Sequence, residues 1–399
     1  MGQSVFSRRL VKAYSSNLIY YFALFAYCLS CNLDRVLVDG VWGSAIGLVA
    51  NILKVLAAVF GATHLFRLAR GEEGMRIAVV SSAIILSFVI YYFSKSLMLF
   101  WLALFVFGAR NVELHRIARA FFIAFLISTL LASVMYAFGL ALIPAAYRNT
   151  GLARLTLGFG HPNQLGFSLM TLGISWMCSK FKVPRGIGPA FICLLVVLLV
   201  FVAGSRTALF GLLVFAVFAL IADRAKPGPR MAKTIVCIVV ASIVAMLALS
   251  VGVALLYDRN NVLIEVMSKL TSGRPYWMNW YLIHYSPTLF GIDFSNAPIM
   301  KQGTPEESRL LLDNGYLKLL LRYGYVGFAM VAVGIGAVFH RAYREADFGV
   351  CVVGLLTFLA LGLSESFFDP SYNFFLLGVG PVFYGLSLRG FEGEANRTR

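Results

Sequence analysis

Apolar residues run in blocks of roughly 17–25 along nearly the whole chain, each long enough to cross a ~30 Å hydrocarbon layer as a helix. The blocks contain Gly and Ala and lack the alternation of short membrane strands, so helices are expected and a β-barrel is not. Twelve spans follow, at approximately 17–33, 41–65, 76–93, 96–109, 119–143, 162–179, 187–203, 207–222, 234–257, 314–339, 348–364 and 372–388. The block at 96–109 is short enough to be tilted or partly re-entrant. The expected fold class is an all-α polytopic membrane protein, residues 1–399 forming a single integral membrane domain.

One stretch breaks the pattern. Residues 258–312, between the ninth and tenth spans, form the only long polar segment and predict a large loop with short helices. Within it Trp277, Trp280, Tyr281 and His284 recur at three- and four-residue spacing, which predicts a helix with one aromatic face on the membrane interface. The following 295–308 is a Pro, Gly and polar connector with the character of a lid.

Composition sharpens the class. The 399 residues are 60% hydrophobic and 13% charged, against about 25% charged in soluble domains. A net charge of +16 would suit nucleic acid if it lay on one surface. Instead 21 of the 34 Lys and Arg fall in segments on the side of the N terminus and 10 on the other, with Lys54, Lys318 and Arg322 inside spans. That is the positive-inside pattern. It places both termini in the cytoplasm and 258–312 outside, and no nucleic-acid partner is expected. The first span has no small-residue cleavage site, so no removable signal is expected. All six cysteines fall in apolar runs, and Cys28 and Cys31, though spaced C-x-x-C, lie within a span and read as packing.

Polar groups gather at the outward ends of separate helices. His161 and Asn163 open the sixth span, Arg206 sits in the GSRT hinge, Arg274 follows the ninth span, Asp313 and Asn314 open the tenth, and Glu365 closes the eleventh. Arg206 has two readings, an interfacial anchor or a guanidinium beside free N–H groups at a helix start, where an anionic head would sit. Arg274 shares that ambiguity, with Pro275 marking a helix start. His161 reads as a general base or as a cap. His64, His115 and His340 are expected to be solvated at cytoplasmic helix ends, and Lys54 either pairs with an acid or marks the site.

The tenth span is sharper. Asn314, Lys318 and Arg322 stand at i, i+4 and i+8 and share one helix face, with Arg322 roughly 13 Å along the axis from Asp313. A cation within a span costs about 2.5–3.5 kcal/mol on insertion scales. Two on one face need an anion, either Glu365 or Asp369 from a neighbour or a lipid-linked diphosphate. No D-x-D pair or His/Cys cluster with ligand spacing occurs, so no metal is expected.

Five motifs, GFGHPNQLG (158–166), GSRTAL (204–209), SGRPYW (272–277), LDNGYLKLLLRYGYVG (312–327) and LSESFF (363–368), resemble the bacterial O-antigen polymerase and O-antigen ligase superfamily in order and topology. The resemblance implies a GT-C-like glycosyltransferase in the bacterial inner membrane, acting on its outer face on glycans carried by undecaprenyl diphosphate. No cofactor, nucleotide sugar or metal would be needed, and a flippase and a chain-length regulator would be partners. Arg206 and Arg274 match the family's two diphosphate-holding arginines, with Tyr276 and Trp277 beside the second. Asn314, Leu317, Gly324 and Gly327 match the ligase pattern, but Asp313 stands where ligases have histidine. That departure favours a polymerase over a ligase acting on lipid A core or protein, and a glycan transporter is a more distant alternative. Asp313 is then the first choice of general base and His161 the second, with Arg206, Arg274, Asn163, Asn314, Lys318, Arg322 and Glu365 binding substrate.

Overall fold

A computed structural model of the chain describes residues 2–38, 40–141, 146–147, 153–184, 186–225, 228–257, 262, 264–266, 274–294 and 312–393. The connector 295–308, expected as a lid, lies outside the described residues. Helices occupy each apolar block: α1 (Gly2–Leu33), α2 (Gly40–Ala69), α3 (Gly74–Ser94), α4 (Met98–Gly108), α5 (Leu114–Ala137), α6 (Pro162–Cys178), α7 (Ile187–Val197), α8 (Arg206–Ala225), α9 (Pro229–Leu255), α10 (Arg274–His284), α11 (Gly315–Glu345), α12 (Val350–Leu361), α13 (Val379–Phe383) and α14 (Leu388–Glu392). Among the described residues the only strands are a two-residue antiparallel pair, β1 (Ala146–Tyr147) with β2 (Ala153–Arg154).

Among the described residues five helices, α2, α3, α5, α9 and α11, are long and apolar enough to cross a membrane. Of the other apolar runs, α1, α6 and α8 are about as long as expected or longer, while those at 187–203, 348–364 and 372–388 are interrupted or shortened for local reasons. In α7 the last turn widens into a π-helix at Leu198–Val202. After α12 the chain turns at Gly362, and the last run begins as a 3-10 turn, Phe374–Gly378.

The core is built on phenyl rings. Phe121, Phe125, Phe374, Phe375, Phe358, Phe367 and Phe215 are almost fully buried, drawn from α5, α8, α12 and the segments after it. Ring pairs such as Phe121–Phe374 at 4.9 Å and Phe215–Phe375 at 5.6 Å tie these elements together. By contrast only 17% of the apolar window is buried in each of α2, α3 and α9, which therefore turn most of their hydrophobic surface outward.

Helix α11 is broken at Gly324, whose φ of 71° needs a residue without Cβ. The backbone groups freed by the break are taken up by the segment after α10. Ile292 N donates to Arg322 O at 3.2 Å, and Tyr325 N and Val326 N donate to Thr288 O and Leu289 O at 3.0 and 3.1 Å. A Cβ on Gly291, whose φ is 90°, would strike the Arg322 carbonyl. Non-helical backbone is tolerated in an apolar setting only when protein satisfies it, and here it is satisfied.

Two sequence expectations change and a third is resolved between its two readings. His64 is not solvated but fully buried, with Nε2 3.0 Å from the Gly108 carbonyl. Lys54 pairs with Asp34 at the end of α1. The aromatic stripe on α10 does not share one outward face. Tyr281 turns inward against Leu312, Leu317 and Leu321, while Trp280 and His284 stack on each other at 4.0 Å.

Candidate functional site

A polar cavity of about 300 Å³ lies where α1 and α12 end and α4, α6 and α11 begin. Arg35, Lys318, Arg322, Asp313, Glu365, Asp369, Gln164 and Tyr372 are among its walls. Each side chain arrives there for a local reason.

Asn314 caps α11: its Oδ1 accepts from Leu317 N at 2.9 Å. Its amide donates to Ser250 Oγ at 2.5 Å and to Leu363 O at 3.0 Å, tying α11 to α9 and to the turn after α12. Gly315 N donates to Gly362 O at 2.8 Å, and a Cβ on Gly315 would lie 2.8 Å from the Glu365 carbonyl. These contacts seat Asp313 beside Glu365. Asn314, expected to bind substrate, is buried and has its amide engaged by these partners as a structural clamp.

Arg274, at the start of α10, bridges both carboxylates. Its Nη2 is 2.8 Å from Glu365 Oε1 and its Nε 3.4 Å from Asp313 Oδ2. Burial lifts Glu365 to about 8, with the Asp313 charge as second cause, while Arg274 and Lys318 pull it back. Asp313 is also raised by burial and opposed first by Arg274. The Asp313 side chain is 35% exposed against 9% for Glu365, so Asp313 is the more accessible carboxylate.

Lys318 and Arg322 face the cavity from the first segment of α11. Neither meets a carboxylate within 4.0 Å among the described residues, and the buried Arg322 Nε has no acceptor. The two acids expected as their partners are engaged elsewhere: Glu365 with Arg274, and Asp369 with Tyr27 Oη at 3.3 Å and Ser371 N at 2.7 Å.

Arg35 completes the cationic wall and was missed in the sequence. It lies 4.0 Å over the Tyr372 ring, and its Nη2 donates to Ser371 Oγ at 3.1 Å. The GFG of 158–160 holds it there: Gly160 N donates to Arg35 O and Leu37 N to Gly158 O, both at 2.9 Å. The signal available was an arginine one residue past Asp34, directly after an apolar run.

A second group stands beside this cavity. His161 caps α6, its Nδ1 accepting from Asn163 N at 3.1 Å, which agrees with the cap reading. Desolvation lowers the His161 pKa, with the Arg154 charge adding to this, so the ring is a neutral acceptor at pH 7. Arg154, also unanticipated, donates to Asn163 Oδ1 at 2.6 Å and Ala203 O at 3.0 Å. Arg206 is exposed at the start of α8 and does not line the cavity. Tyr276 and Trp277 pack edge to face at 4.7 Å and are likewise outside its lining. The structure therefore gathers Asp313, Glu365, Lys318 and Arg322 with Arg35, sets Arg274 at the rim, and leaves Arg206, Tyr276 and Trp277 apart.

Chemically the arrangement offers three cations around one cavity, with Asp313 and Glu365 at its edge and Asp369, engaged with Tyr27 and Ser371, on its wall. It suits an anion whose charge is held while a neighbouring hydroxyl loses a proton. Set against protein-family models, curated proteins and solved structures, the chain matches none of them.

Proposed function

We propose that the protein is a polysaccharide polymerase that joins undecaprenyl-diphosphate-linked repeat units on the outer face of the bacterial inner membrane. One observation carries the reading: Lys318, Arg322 and Arg35 face a single cavity, with no carboxylate in ion-pair contact among the described residues. Buried cations without protein anions are costly unless a ligand supplies the charge. A diphosphate does so.

In this reading Lys318, Arg322 and Arg35 hold the diphosphate of the donor. A hydroxyl of the acceptor sugar attacks the donor's anomeric carbon and gives its proton to Asp313. The bond from that carbon to the diphosphate oxygen breaks, and the leaving oxygen takes the electron pair into the cationic wall. One glycosidic bond forms and one phosphoester bond is lost, with no metal or redox partner in the balance. Arg274 aligns Asp313 and opposes the burial that raises its pKa. The twelve-span layout with both termini in the cytoplasm, and a GT-C-like arrangement, belong to the same proposal. A lipid carrier also needs an apolar lodging, and a groove of about 700 Å³ between α9 and α11 begins at Tyr316 and Phe368, sequence neighbours of cavity residues.

The test is a gel of lipid-linked glycans from a deletion strain complemented with wild type, Lys318→Ala or Arg322→Ala. Single repeats in the mutants and ladders in the wild type are expected. Ladders from both mutants, or unattached polymer in the deletion strain, would sink the assignment.

A further inference from the structure

On the opposite end of the bundle a second cleft lies between α2 and α3. These helices are joined by a short turn, yet both pack on α4 and scarcely on each other. The gap, about 530 Å³, is lined by Leu65, Phe66, Ile77, Val80, Ile84 and Phe100, with Ser81 on its wall. Its mouth is charged. Arg70 lies 4.8 Å over the Phe66 ring, and Arg76 and Arg110 both pair with Glu72, whose side chain is only 4% exposed. Arg70, Arg76 and Arg110 against the buried Glu72 and the exposed Glu73 leave a rim with a net charge of +1.

From this geometry we infer that the α2–α3 cleft is a binding site for one diacyl phospholipid with an anionic head. An acyl chain fills the apolar gap, and the phosphate meets the free edge of Arg70 and the outer edge of Arg76. Charge complementarity selects the head, since guanidiniums favour phosphate oxygens. The volume selects a chain over a protein helix. A membrane helix is about 10 Å across and about 30 Å long, so it would lie over the cleft and not in it. Basic clefts between spans on the side where Lys and Arg collect are placed to meet the anionic cytoplasmic leaflet. The inference depends on α2 and α3 lying in a bilayer and is independent of the glycan chemistry.

Full-length protein in mild detergent is given phosphatidylglycerol or phosphatidylcholine of identical acyl chains, and bound lipid is counted by native mass spectrometry. One phosphatidylglycerol held at least about fivefold more tightly is expected, from roughly 1 kcal/mol per basic residue at the head. Arg70→Gln should lower that preference about fivefold, and Ser81→Trp, which fills the cleft, should abolish binding of both lipids. Equal retention of the two lipids by wild type, or an unchanged preference in Arg70→Gln, overturns the proposal. If Ser81→Trp fails to fold, the Arg70→Gln comparison decides alone.

Discussion

Arg274 and Glu365 are 91 residues apart in the chain, and the guanidinium of the first lies 2.8 Å from the carboxylate of the second. The same guanidinium reaches Asp313 at 3.4 Å. One residue of α10 thus latches the segment after α9 onto the start of α11 and the end of α12, and it opposes the burial that raises both acids.

Removing the latch should shift a titration. Arg274 lowers the pKa of both carboxyl groups. In Arg274→Gln both rise, so the limb of the pH–rate profile that requires an ionised Asp313 moves to higher pH. Arg274→Lys restores charge without the two-pronged geometry and should recover only part of the shift. In vitro joining of lipid-linked repeats across pH reads this directly, and an unmoved limb in Arg274→Gln would remove Asp313 from the base role.

Glu365 also predicts a stability slope. Its folded pKa of about 8 exceeds the ordinary value of 4.5, so between those limits the folded state binds more protons than the unfolded one. Stability therefore falls as pH rises through that window. Glu365→Gln keeps the size and loses the titration, so melting in detergent between about pH 5 and about pH 8 should flatten. The same slope in wild type and variant would contradict the assignment.

Lys318 and Arg322 separate a ligand site from a structural ion pair. Cutting one partner out of a buried pair typically costs about 3–5 kcal/mol. Without a carboxylate partner, Lys318→Met and Arg322→Met should leave the melting temperature unchanged or raise it. Joining activity should nonetheless fall by about 10-fold or more, the loss of one charge-assisted hydrogen bond of about 1.5–3 kcal/mol. A large drop in melting temperature for either variant would mean that protein carboxylates hold these cations after all.

Gly324 tests the bracket between the α10 segment and α11. A Cβ there would sit 2.5 Å from Leu289 O at a φ of 71°. Gly324→Ala should cost on the order of 1–3 kcal/mol and expose the Thr288–Ile292 segment to protease. Protection equal to wild type would show that the break tolerates a side chain.

Hydropathy was enough to place the apolar helices, because burying a backbone in an apolar setting forces its hydrogen bonds inside each segment. It showed neither α10 in the polar loop nor the breaks that leave five helices long enough to cross a membrane among the described residues. The face shared by Lys318 and Arg322 was equally legible, since helical spacing determines which residues project together. What tertiary structure decided is which end groups meet. Arg35 enters the cavity through backbone pairing of 35–37 with Gly158 and Gly160, Asn314 becomes a clamp because Ser250 and Leu363 lie beside it, and Arg206 stays out in the open. Glu365 was readable as a polar helix end, but its partner could come only from the packing of α10. Periodicity records the orientation of a residue within its own helix. The distance between residues on different helices depends on turns and glycine close approaches, which leave no periodic trace in a chain.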